Sequence, residues 1–233
     1  MTDGTATDTS HLLTYISSYI FPTTTHTITT NIVLGVSLGG HAAWHCITHD
    51  PRIITAIIII GCPDYIRLMT DRARLSKLDS WTKSSPPGSQ FLGSRGFPKG
   101  LIEAVEKYDP AGLLLGEITS RRDEVSTHAP TDLEKKRLMP LMKSSLYGKR
   151  ILNMAGGADK LVPYKCSEPF LSWLKDATAP NGWFGGGNVV LEDIVFDGVG
   201  HEMSPGMVNQ VHRFVIDTLE QPSMEPTGRD SKM

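Results

Sequence analysis

Cysteine is scarce in this sequence, and the few present are poorly spaced to act together. Cys46, Cys62 and Cys166 are the only three in 233 residues. No C-x-x-C pair occurs, which excludes a disulfide-stapled scaffold and the usual zinc spacings. Long apolar runs are also missing. The longest, Ile53 to Ile60, is broken by Thr55 and falls far short of the roughly 20 residues of a membrane span. Excess charge of one sign is absent too: 23 Lys and Arg face 25 Asp and Glu, a formal net charge of −2. Nothing there favours a nucleic-acid partner. The first residues, Met1 to Thr9, have neither a basic start nor an apolar stretch, so no secretory leader is expected. Together these absences predict a cytoplasmic chain in a reducing compartment, with no membrane and no nucleic acid among its partners.

What remains is ordinary globular composition, 39% apolar and 21% charged, with no internal repeat. Leu12, Leu13, Ile16, Tyr19 and Ile20 fall at helical spacing, and Asp8, Thr9 and Ser10 offer N-caps, so a helix is predicted over 8–20. A threonine-rich loop leads to a short apolar strand, Asn31 to Leu34. A helix from about Leu38 to His49 follows and is stopped by Asp50-Pro51. Ile53 to Ile60 reads as a strand buried on both faces, the mark of a parallel sheet. Residues 66–148 are richer in Pro and Gly, with helical pieces at Leu101 to Tyr108 and Leu133 to Leu146. They read as a helical insertion. Strand and helix then alternate again: strand Arg150 to Ala155, helix Val162 to Lys175, strand Val189 to Phe196, helix Pro205 to Leu219. The expected organisation is a core in two parts, 1–65 and 149–219, a helical lid at 66–148, and a disordered tail at 220–233. The fold class is α/β with a parallel sheet, whose ligands bind beyond the carboxyl ends of the strands.

Three loops at that rim carry chemistry. Gly35-Val36-Ser37-Leu38-Gly39 is a G-x-S-x-G run between a strand and a helix. A tight turn there would lift the Ser37 hydroxyl off the sheet and leave the Leu38 N–H free to donate to an oxyanion. Gly35 and Gly39 are expected where a Cβ would collide with neighbouring chain. A serine nucleophile needs a base. His201, in Asp197-Gly198-Val199-Gly200-His201, follows the last strand and is the best placed of the eight histidines. His41, His45 and His49 recur four apart on one helix, but no further ligand completes a metal site there. His11, His26, His128 and His212 have no supporting context. The orienting carboxylate is expected at Asp159, just past another strand, with Asp64 as competitor or as a turn and cap residue. His201 must be neutral to accept a proton, so activity should fall in acid.

The elbow at Gly35 to Gly39, the Gly156-Gly157-Ala158-Asp159-Lys160-Leu161-Val162-Pro163 loop and the Gly198-Val199-Gly200-His201 loop, in that order, resemble the α/β-hydrolase family. The last two are most similar to its prolyl-oligopeptidase-like and dienelactone-hydrolase-like branches. The resemblance covers about 8–65 and 149–219. It implies acyl-transfer chemistry with Ser37 as nucleophile, Asp159 as acid and His201 as base, without cofactor or metal. A small ester or thioester is the expected substrate and a peptide bond the alternative. It also implies a lid at 66–148, to which no residue role transfers.

One departure is large. The family's sheet has several strands ahead of the nucleophile strand, and one of them leads to a second oxyanion donor. Only 36 residues precede Ser37 here, with no comparable glycine run. The expectation is therefore an N-terminally truncated sheet, with the nucleophile strand at or next to its edge. Such an edge is open to self-association. Losing one oxyanion donor costs about 10²–10³ in rate, so a catalytically weak or inactive chain, serving as a binding or interaction protein, is the alternative function.

Overall fold

Four short β-rich segments, each followed by helix, generate the architecture. The computed structural model describes residues 2–23, 26–116 and 130–220. The chain runs α1 (Thr2–Ile20), β1 (Asn31–Val36), α2 (Leu38–His49), β2 (Ile53–Ile59), α3 (Tyr65–Leu75), α4 (Asp79–Thr82), α5 (Lys99–Tyr108), α6 (Pro110–Leu115) and α7 (Asp132–Leu146). It continues through β3 (Arg150–Gly156), α8 (Tyr164–Thr178), a 3-10 turn at Gly185–Gly187, β4 (Val190–Phe196) and α9 (Pro205–Glu220). The strands form one parallel sheet in the order β1-β2-β3-β4. The expected α/β class with a parallel sheet is what the chain adopts, and β1, which leads into Ser37, lies at the edge of the strands described. The expected tail lies outside the described residues from 221 onward.

The sheet's two faces differ. On one, Trp44 and Ile47 of α2, Leu138, Met142 and Leu146 of α7, and Phe170 and Leu174 of α8 close over Ala56, Ile58 and Ile151. On the other, Met207 and Phe214 of α9 cover Ile57, Ile59, Leu152 and Met154. Burying each of these large apolar side chains contributes about 1.5–3 kcal/mol. The isoleucine run of β2 is hidden on both sides because both layers meet there: Ile57, Ile58 and Ile59 are all fully buried.

Several boundaries differ from expectation for local reasons. α1 starts at Thr2, so Asp8, Thr9 and Ser10 lie inside the helix. There the Thr9 hydroxyl donates to the Thr5 carbonyl at 2.8 Å instead of capping. Arg52 ties α1 to the core. Its Nη2 donates to the Ser10 carbonyl at 2.7 Å, and it pairs with Asp50 at 2.6 Å. α8 begins at Tyr164 because the Val162 N–H is given to Asp159 and Pro163 occupies the cap. The described residues of 66–148 pack in more than one place. Ile66 and Ala73 of α3 and Val105 of α5 join Phe91 and Phe97 in a separate cluster. Leu114 and Leu115 of α6 instead join α7 in the main core.

Candidate active site

The site begins with backbone. Ser37 has φ 55° and ψ −114°, a left-handed conformation that side-chain-bearing residues rarely adopt. The turn is held by the Ser37 N–H, which donates to the Ile59 carbonyl at 2.9 Å, and by the close approach of Gly35 to the start of α2. A Cβ on Gly35 would sit 1.9 Å from the Gly39 carbonyl oxygen. Gly39 itself is different from expectation: a Cβ there meets nothing within 4 Å, because the residue faces outward from the first turn of α2. The close-packed glycines are instead Gly40 and Gly61, where α2 crosses the end of β2 and a Cβ on Gly61 would come within 2.6 Å of Gly40. As the first residue of α2, Leu38 has an N–H without an intrahelical acceptor.

Ser37 Oγ lies 2.8 Å from His201 Nε2, and His201 Nδ1 lies 2.8 Å from Asp159 Oδ2. The tautomer follows from the partners. A carboxylate only accepts, so Nδ1 carries the proton and donates to Asp159, leaving Nε2 to accept from the Ser37 hydroxyl. The Asp159 side chain is fully buried. Its second oxygen accepts the Leu161 and Val162 N–H groups at 2.8 and 3.0 Å, which fixes the carboxylate plane. Asp64, the competing carboxylate, is used elsewhere: it caps α3 by accepting the Arg67 N–H at 2.9 Å.

The two loops that carry Asp159 and His201 are joined to each other. The Gly157 N–H donates to the Phe196 carbonyl at 2.9 Å, and the Ala158 N–H donates to the Val199 carbonyl at 2.9 Å. A Cβ on Gly156 would meet the Val199 and Gly200 carbonyl oxygens at 2.5 Å. That glycine lets the β3 end approach the histidine loop.

The α2 histidines are each engaged separately. His41 Nδ1 accepts the Cys62 N–H at 2.9 Å, anchoring the turn after β2. Burial, helped by Arg72, His45 and His201, pushes the His41 pKa down to about 4, so this ring is neutral near pH 7. His45 Nε2 faces Asp109 Oδ1 at 3.6 Å, and His49 Nε2 donates to the Tyr108 carbonyl at 2.7 Å. Among the described residues no group of three or more His, Cys, Asp or Glu is placed to hold a metal. No described helix is long and apolar enough to cross a membrane.

Sequence reasoning missed the Asp109 carboxyl. It is buried between α2 and α3, accepts the Tyr65 N–H at 3.2 Å, and has its pKa pushed up to about 6 by that burial. The one available signal was Asp109-Pro110, a helix start. A cleft of about 300 Å³ opens beside Leu38 and reaches this carboxyl.

No family model matches the chain, and no curated protein matches it. Solved structures similar to it include Arabidopsis thaliana SOBER1, at 14% identity and TM-score 0.43 over 91% of this chain and 62% of that one. Zea mays acyl-protein thioesterase 2 matches at 16% identity and TM-score 0.42, over 94% of this chain and 66% of that one. A Mycobacterium tuberculosis puromycin-hydrolyzing peptidase matches at 18% identity and TM-score 0.39, over 77% of this chain and 20% of that one. The chain therefore spans less than two thirds of the length of each of these similar proteins.

Proposed function

We propose that this chain is a serine hydrolase of the α/β-hydrolase type that cleaves a carboxylic ester or thioester through an acyl-enzyme on Ser37. The observation that carries the reading is the continuous hydrogen-bonded line from Ser37 Oγ through His201 to buried Asp159, built from three separate loops. As the Ser37 oxygen attacks the carbonyl carbon, His201 Nε2 takes its proton. Asp159 holds the ring and stabilises the imidazolium. The Leu38 N–H, at the positive end of α2, donates to the developing oxyanion. His201 then protonates the leaving alcohol or thiol. Water, deprotonated by the same nitrogen, releases the acid and regenerates Ser37. No step calls on a metal or cofactor. A reducing, cytoplasmic setting belongs to this reading and is supported by three free, buried cysteines.

Hydrolysis of p-nitrophenyl acetate and butyrate by wild type and by Ser37→Ala tests the proposal. The expected result is turnover in the wild type and none above background in the variant. Turnover equal in the two would remove Ser37 from the chemistry, and turnover in neither would leave the chain as a binding protein on a hydrolase scaffold.

A further inference from the structure

The cleft beside the nucleophile turn has a chemical character of its own. Leu38, Tyr65, Val105 and Tyr108 supply apolar and aromatic walls. His45 and Asp109, 6% and 3% exposed, form its deep end, and the partly exposed Asp3 lies at its outer side. Two carboxylates and no lysine or arginine line the cleft, and the nearby Lys107 interacts with the outer one, Asp3, and not with Asp109. Asp109 has no Lys or Arg ion pair among the described residues. Its nearest ionisable neighbour is His45 at 3.6 Å, longer than a hydrogen bond, and Asp64 adds a like charge nearby. His45 Nδ1 is buried without a hydrogen-bond partner, and its Nε2 also lies 3.3 Å from Thr2 Oγ1. The carboxyl at the deep end is thus poorly compensated by its own protein. The aromatic walls already attract cations, as Lys107 Nζ sits 4.8 Å from the centre of the Tyr108 ring.

We propose that this cleft is the acyl subsite and that it selects acyl groups ending in a cationic ammonium, with Asp109 as the buried counter-charge and Tyr65 and Tyr108 as the aromatic flanks. The proposal deepens the serine-hydrolase reading and rests on it for the word acyl, since Leu38 both lines the cleft and follows Ser37 in the chain. The cationic selectivity stands on the cleft alone. A short apolar stem suits the walls, and an ammonium of the substrate completes an ion pair that Asp109 otherwise lacks. Anionic acyl groups are excluded by the same two carboxylates.

Two arms test it. In the first, wild type hydrolyses p-nitrophenyl 4-(trimethylammonio)butanoate and its neutral isostere p-nitrophenyl 5,5-dimethylhexanoate. At least a tenfold higher kcat/KM is expected for the cationic ester. Asp109→Asn, which retains an oxygen acceptor for the Tyr65 N–H, should reduce that ratio toward one, and because both esters are measured on the same variant any loss common to the two cancels in the ratio. Asp3→Asn should lower the ratio by a smaller factor. In the second arm, calorimetry measures binding of the two corresponding amides to the Ser37→Ala protein, which needs no turnover. The cationic amide should bind at least tenfold more tightly, and adding Asp109→Asn should remove the difference. Equal binding of the two amides, or a preference that survives Asp109→Asn, overturns the cationic subsite. Selective binding without hydrolysis of either ester overturns the serine-hydrolase reading and leaves the subsite standing.

Discussion

The rim of the sheet and its β1 flank are built to different standards. At the rim each side chain of the proposed triad is constrained from several directions. Ser37 is fixed by a strained turn and by the Ile59 carbonyl, Asp159 by two backbone N–H groups, and His201 by the carboxylate and by a loop stitched to β3. At the flank, β1 offers one buried side and one open side. Val33 packs against the main core, whereas Leu34 and Val36 remain 48% and 39% exposed. The cause is coverage: α9 packs chiefly against β2 and β3, and β1 reaches that cluster through Ile32. Backbone contacts therefore position the site, and the poor cover beside it need not loosen the geometry. Substitutions at the rim should change rate, and those on the flank should change association.

The largest effect is expected at the proposed nucleophile. Ser37→Ala should lower ester hydrolysis by about 10³-fold or more, measured as kcat/KM with p-nitrophenyl butyrate. Next comes the loop junction. Gly156→Ala places a methyl group where two carbonyl oxygens stand, so the Asp159 and His201 loops must separate. Displacement of about 1 Å typically costs on the order of 10²-fold. The expected loss is in kcat, with circular dichroism unchanged in shape.

A smaller effect concerns stability. Burial holds the Asp109 carboxyl up at about 6, above its ordinary value of 3.8. Between those two values the folded chain keeps a proton that the unfolded chain releases. That contribution to stability is complete below the unfolded value and is lost as pH rises through about 6. Asp109→Asn should abolish this slope in urea melts and leave the protein at least as stable as wild type near pH 7. The smallest effect on rate is expected on the flank. Leu34→Lys should leave hydrolysis within about twofold, as exposed substitutions usually do. The same charge should convert any concentration-dependent dimer seen by light scattering into monomer, because it disrupts pairing across β1.

The sequence was most readable where chemistry and local structure coincide. Ser37 stood between an apolar strand and a helix. Asp159 and His201 each follow a strand end, which in a parallel sheet places all three at one rim. Asp64 also followed a strand, and nothing local distinguished it from Asp159. The difference is that the Arg67 N–H and the α3 start claim Asp64, a contact set by where that helix begins. The Gly40–Gly61 crossing, the Asp109–Tyr65 hydrogen bond and the buried Lys149 at the end of α2 were not legible for a related reason. Each joins elements far apart in the chain, and no periodicity marks such pairs. Lys149 donates to the Asp50 carbonyl at 2.9 Å, and its burial pulls its pKa down to about 8. In sequence it reads as one more surface charge.

Labelling with a fluorophosphonate, followed by peptide mass mapping, tests the central claim most directly, because phosphonylation requires an activated serine and no knowledge of the substrate. A single adduct on Ser37, lost in His201→Ala and in protein unfolded by urea, is the predicted result. An unlabelled native protein, or an adduct that stays when His201 is replaced, would contradict it.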